Sequence, residues 1–188
     1  MATPSDAAVR ADTIAWLERA VIGLNLCPFA KSVHATGRLH LAVSGAQDAD
    51  AVEADLRREL QDLVALDAAV RDTTLLVLPQ ALPDFLDFND FLDRADALVE
   101  ALALDGVVQV ASFHPGFQFA GTTPDDVTNC SNRSPYPTLH LLREDSVARA
   151  VEAFPDAAEI FERNIETLER LGPQGWAALD VGAGRGAA

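Results

Sequence analysis

The chain predicts an α/β (or α+β) fold in which a mixed sheet of about four strands is covered by about five helices. Two observations carry that prediction. Apolar residues recur at helical spacing in five separate stretches, and short runs rich in Val, Leu, Thr and Phe alternate with them, set off by Gly, Pro and Asp. No internal repeat is visible.

From Asp12, the residues Ile14, Leu17, Val21 and Leu24 share one helix face. A first helix is therefore expected to run to about Gly23 with Asp12 as its cap, residues 1 to about 10 reading as a frayed terminus. Leu39 to Val43 is the first strand, closed by Ser44-Gly45. Val52, Leu56, Leu60 and Leu63 then line a long second helix whose other face is charged. Thr73 to Leu78 is an unbroken strand-length apolar run of the kind buried on both faces, and Pro79 ends it. Phe85, Phe88, Leu92, Ala95, Val99 and Leu102 predict a third helix from about Asp84 to Leu104.

Val107 to Phe113 is the third strand and runs directly into His114-Pro115-Gly116. A loop of more than 20 residues follows, ending at Pro137, and loops of that length in compact domains are usually functional or disordered. Thr138 to Leu142 is the fourth strand. Val147, Val151 and Phe154 mark a short helix broken by Pro155. Asp156 to Glu159 resembles a capping box that opens a last helix, buried through Ile160, Phe161, Ile165, Leu168 and Leu171 and stopped by Gly172-Pro173. Residues 1–172 are thus expected to form one globular domain and 173–188 a flexible tail that only Trp176 pins. The first three strands are expected to be parallel. The fourth, with no helix before it, is expected to run antiparallel to the third.

The formal charge of -15 argues against nucleic acid as a partner, because phosphate binding needs clustered Lys and Arg and only 14 such residues lie scattered along the chain. The same excess disfavours an anionic membrane surface. No apolar run has the length of a spanning helix and no signal peptide is recognisable, so a cytoplasmic protein is expected, with Cys27 and Cys130 as free thiols. The sequence holds no P-loop, nucleophile elbow, EF-hand, zinc-protease helix or dinucleotide fingerprint, and any cofactor is left unknown.

If ligands sit at the carboxyl ends of parallel strands, His114 is the first candidate for proton transfer, since imidazole changes charge near neutral pH. An antiparallel fourth strand would bring Arg133, Ser134 and Tyr136 to the same edge and send Arg143 to the far one. Arg133 is a candidate anion clamp, or else an arginine tying the long loop to main-chain carbonyls. Tyr136, held between two prolines, either donates to a substrate or plugs the core. His140 alternates with Leu139 and Leu141 and points away from their face, toward either a helix-covered core or a cleft. Cys27 is a candidate nucleophile or a small buried residue; His34 and His40 are weaker candidates. Cys27, His114, Cys130 and His140 have metal-binding atoms but no CxxC or HxxxH spacing, so no metal site is assigned.

The residues Leu26-Cys27-Pro28-Phe29-Ala30, Phe113-His114-Pro115, Asn132-Arg133-Ser134-Pro135-Tyr136-Pro137, Leu139-His140-Leu141-Leu142-Arg143-Glu144 and Arg163-Asn164-Ile165 are similar to the motifs of the bacterial family named domain of unknown function 1415 (DUF1415). The resemblance runs from Trp16 to Gly172. It implies which positions matter and supplies no substrate. Patterns of that family often carry a tyrosine two residues beyond His-Pro, where this chain has Phe117.

The function expected from the sequence is a small enzyme using His-centred acid–base chemistry on a small anionic substrate, its hydrolase or transferase type left open. His114, Arg133, His140, Tyr136 and Cys27 would be its site. The alternatives are a protein that binds metal through Cys and His, or a non-catalytic accessory protein whose long loop meets a partner. All rest on these residues converging on one hollow.

Overall fold

A computed structural model describes residues 3–154 and 159–184. The described residues build a four-stranded mixed sheet in the order β1-β2-β4-β3, with β1 Leu39–Val43, β2 Thr73–Val77, β3 Val108–Phe113 and β4 Thr138–Arg143. β1 and β2 are parallel, and β4 is antiparallel to both β2 and β3. The first three strands therefore point the same way, with β4 inserted between the second and third. All five residues of β2 are buried, as its unbroken apolar run requires of an inner strand covered on both faces.

Side-chain alternation sorts the sheet into two faces. On one, Leu76, Leu78, Leu139, Leu141 and Val108 pack under α3 (Ala49–Ala65) and α4 (Phe85–Ala101), which supply Val52, Leu56, Leu60, Leu63, Phe88, Phe91 and Leu98. Both helices open on an aspartate: Asp48 accepts from Ala51 N–H at 2.8 Å and Asp84 from Leu86 N–H at 2.8 Å. On the other face, Leu41, Leu75, Val77 and Tyr136 meet Val9, Trp16, Leu17, Ala20 and Val21 of α1 (Asp6–Trp16) and of the π-helical turn Leu17–Ile22 that prolongs it.

The first helix thus starts earlier than its apolar spacing suggests. Ser5 caps it, accepting from Ala8 N–H, and residues 6–10 are helical rather than frayed. Asp12 is not a cap. It is 1 % exposed inside the helix, and its carboxylate accepts from the Tyr136 hydroxyl at 2.8 Å and from Gly184 N–H at 2.7 Å. A short helix not foreseen from the sequence, α2 (Ala30–Ala35), follows the Cys27 segment. A 3-10 turn, Val127–Asn132, gives the long loop its own structure, and α5 (Glu144–Ala153) leads on from β4.

The last helical stretch, α6 (Ile160–Ala178), is two helices that meet at the expected stop, Gly172-Pro173. Gly172 takes φ 69° and kinks the helix, Pro173 begins a new segment, and Trp176, Leu179 and Val181 pack against the α1 core. Arg19 also bonds the carbonyl oxygens of Leu179 and Asp180. The break at Pro155, the cap at Asp156 and the end of the tail, 185–188, lie outside the described residues. Among the described residues no helix is long and apolar enough to cross a membrane.

Candidate functional site

The sheet face toward α1 is only half covered. α1 and its π-helical turn lie over the carboxyl ends of the three parallel strands; toward their amino ends the same face is the floor of a cavity of about 450 Å³. Two cross-strand rows supply that floor: Leu39, Thr73, Leu142 and Gln109 from one, and Leu75 and His140 from the next. β4 is an inner strand, and its residues Leu139 and Leu141 on the α3–α4 side are fully buried. His140 and Leu142 on the cavity side are only half-buried. The walls come from Trp16, Leu17 and Val21, from Cys27-Pro28-Phe29, from Val33 of α2, and from Ser146, Val147 and Ala150 of α5.

His140 sits on this floor with a defined tautomer. The Thr73 hydroxyl lies 2.6 Å from the Leu141 carbonyl oxygen, which only accepts, and 2.7 Å from His140 Nε2. The single hydroxyl proton goes to the carbonyl, so Nε2 carries the ring proton and donates to Thr73. No described residue bonds Nδ1, while no buried side-chain nitrogen or oxygen among the described residues lacks a partner. Nδ1 is thus an acceptor reached from the cavity. Burial pushes the His140 pKa down to about 4, so the ring is neutral at pH 7.

The charged groups around the cavity are all engaged, with one another or with the main chain. Arg38 pairs with Asp72 at 3.1 Å, and Asp72 accepts from the Ser146 hydroxyl at 2.6 Å, pinning the first turn of α5. Arg143 donates to the carbonyl oxygens of Leu63, Leu66 and Arg71, closing the C-terminal end of α3. Gln109 and Ser32 are exposed and carry the cavity wall to solvent.

Of the five side chains singled out in the sequence, the cavity brings together Cys27 and His140. His114 leaves β3 on the opposite face, 2 % exposed between Phe85 and Phe88. Gly116 N–H donates to its Nδ1 at 2.9 Å, so Nε2 bears the proton and donates to the Leu82 carbonyl at 3.2 Å. Burial lowers its pKa, opposed by the Leu82 bond. Arg133 donates from Nε to the Phe117 carbonyl and from Nη2 to the Pro124 carbonyl, the arrangement that ties the long loop to itself. Tyr136 is buried against Asp12. Those three groups do not line the cavity.

Cys130 is buried with Leu26 and Leu168 in a separate cluster, and burial raises its pKa. His34 bonds Glu18, and His40 lies 3.8 Å from Glu59. Among the described residues no three His, Cys, Asp or Glu side chains come together in a way that would hold a metal. Two stretches of the resemblance do meet: Asn164 of α6 donates to the Leu26 carbonyl at 3.0 Å, next to the Cys27 wall.

The sequence reading missed Thr73, Trp16, Asp72 and Ser146. Thr73 and Thr74 are the polar pair in an otherwise apolar strand, but only the pairing of β2 with β4 reveals that Thr73 answers His140.

A family model described as a protein of unknown function (DUF1415) matches residues 8–178. No curated protein and no solved structure matches the chain.

Proposed function

The chain belongs to the DUF1415 family, and from that premise, which brings no reaction with it, we propose that the cavity on the β4 face binds a small, largely apolar molecule through His140. The carrying observation is a neutral imidazole, its tautomer set by Thr73, whose Nδ1 is the unsatisfied acceptor on an apolar floor. A volume of about 450 Å³ falls in the range, roughly 300–1,000 Å³, of pockets that enclose small ligands. The ion-paired state of Arg38 and the carbonyl-bound state of Arg143 favour an uncharged ligand over the small anion expected from the sequence. Arg133, the intended clamp, has donors engaged on two carbonyls.

The test is titration with Nile red, a neutral dye that brightens in apolar surroundings. Emission should rise on the wild type and stay flat on Ala150→Trp, which fills the cavity from α5. Equal emission from both proteins would refute the cavity as the binding site.

A second reading keeps acid–base chemistry and transfers it from His114 to His140, because Cys27 lines the same cavity. It stands second because an imidazole with a pKa of about 4 is a poor general base at neutral pH. If Cys27 passes its proton to His140, alkylation of Cys27 by iodoacetamide will slow, and its pH profile move to higher pH, in His140→Phe. An unchanged profile leaves binding alone.

A further inference from the structure

We infer that the ligand class of this cavity is a neutral, flat aromatic molecule carrying a ring-borne O–H or N–H group, seated among Trp16, Phe29, Phe113 and His140 with its donor on His140 Nδ1. The inference rests on the binding reading above and narrows it.

Four rings line the cavity. Trp16 and Phe113 meet edge to face, with centroids 5.2 Å apart and planes at 68°. Phe113 in turn lies 6.1 Å from the His140 ring, at 38°. Such a tilted series offers a further ring both edges and faces, the two geometries in which aromatic groups attract beyond simple burial. Phe29 is fixed by an edge-on contact with Phe154, at 5.9 Å and 85°, so the far wall is also aromatic and held in place.

The floor is shaped for a flat body. Its strand residues Leu39, Thr73, Leu75, His140 and Leu142 belong to two adjacent cross-strand rows on one face of the pleated sheet. One wall is α5, an amphipathic helix none of whose residues is buried. Its Val147 and Ala150 face the cavity rather than a packed side chain. A sheet for a floor and rings in the walls suit a planar molecule that can lie on the one and stack on the others.

Charge and hydrogen bonding complete the description. Every cation bordering the cavity is engaged: Arg38 with Asp72, and Arg143 with main-chain carbonyls. Within the apolar part of the lining, Nδ1 calls for a donor, which a phenol, an indole or an N–H heterocycle supplies while remaining neutral and flat. An aryl ether has the same ring and lacks the proton. A saturated alcohol has the proton and lacks the ring.

These analogues make the experiment. The full chain is loaded with Nile red, which is then displaced by 1-naphthol, 1-methoxynaphthalene or decahydro-1-naphthol. 1-Naphthol should displace the dye at concentrations about ten-fold below either of the others, and in His140→Phe it should fall to the level of 1-methoxynaphthalene. Nile red bound but displaced equally well by decahydro-1-naphthol, or by none of the three, overturns the aromatic class and leaves the binding reading intact. A naphthol advantage that survives His140→Phe overturns the role of His140. Failure of Nile red to bind at all overturns both. Should His140→Phe not fold, the nitrogen resonances of the wild-type histidines decide: the Nδ1 signal of His140 must move with 1-naphthol and not with 1-methoxynaphthalene, and an unmoved signal refutes the contact.

Discussion

His114 is fastened at both ring nitrogens, by Gly116 N–H on one side and the Leu82 carbonyl on the other. Leu82 itself takes φ 52°, a conformation that costs a non-glycine residue free energy, so the imidazole holds a strained turn between β2 and α4 against the end of β3. Replacing it with alanine takes a hydrogen-bond partner from the part-buried Leu82 carbonyl and from Gly116 N–H and opens space between Phe85 and Phe88. The expected loss is roughly 2–4 kcal/mol, read from urea unfolding. Nile red binding of the folded fraction should be unaffected, because the cavity lies across the sheet. His114 and His140 could not be told apart by residue type. The first stands where ligands of parallel sheets usually bind; what separates them is which ring nitrogen remains unsatisfied, and that depends on tertiary partners absent from any local pattern.

Among the elements, α1 is packed on the sheet and is also tied to two distant parts of the chain through one carboxylate. Asp12 receives the hydroxyl of Tyr136, which leads into β4, and the N–H of Gly184 beyond α6. Burial first, and the Asp12 carboxylate second, push the Tyr136 pKa from 10.0 up to about 12. Tyr136 is the only tyrosine in the chain, so absorbance at alkaline pH reports this junction alone. Its titration in the folded protein should centre near 12 and return to about 10 in urea; a midpoint near 10 in both states would mean that the junction does not form. The four strands and the long helices were legible because their spacing or unbroken apolarity is local, as in Thr73 to Leu78 or Val52 to Leu63. Asp12 misled because aspartate ahead of an apolar-periodic stretch usually caps a helix, and its partners here lie 124 and 172 residues away. α5 was legible as amphipathic, yet nothing in its own residues says whether the apolar side meets a packed core or a cavity.

For the molecule as a whole, acid works in two directions. Burial lowers the pKa of both His140, to about 4, and His114, so below about 6.5 the unfolded chain binds protons that the folded chain does not. Stability from this source is complete above 6.5 and is lost as pH falls toward 4, with His140 contributing up to about 3 kcal/mol. Protonation of the many carboxylates acts oppositely, since it relieves the self-repulsion of a chain with charge -15. The comparison of variants isolates the first effect: unfolding midpoints of wild type and His140→Phe should diverge between pH 7 and pH 5 as the wild type weakens, and parallel curves would contradict a buried neutral ring at this position. The sheet order adds a consequence in time. β4 is the last of the four described strands in chain order, yet it belongs in the middle, so β3 has no hydrogen-bonded neighbour until residues 138–143 slot in beside β2. The imidazole arrives on that closing strand, and a nascent or truncated chain that stops short of it has neither a continuous sheet nor a place for a guest.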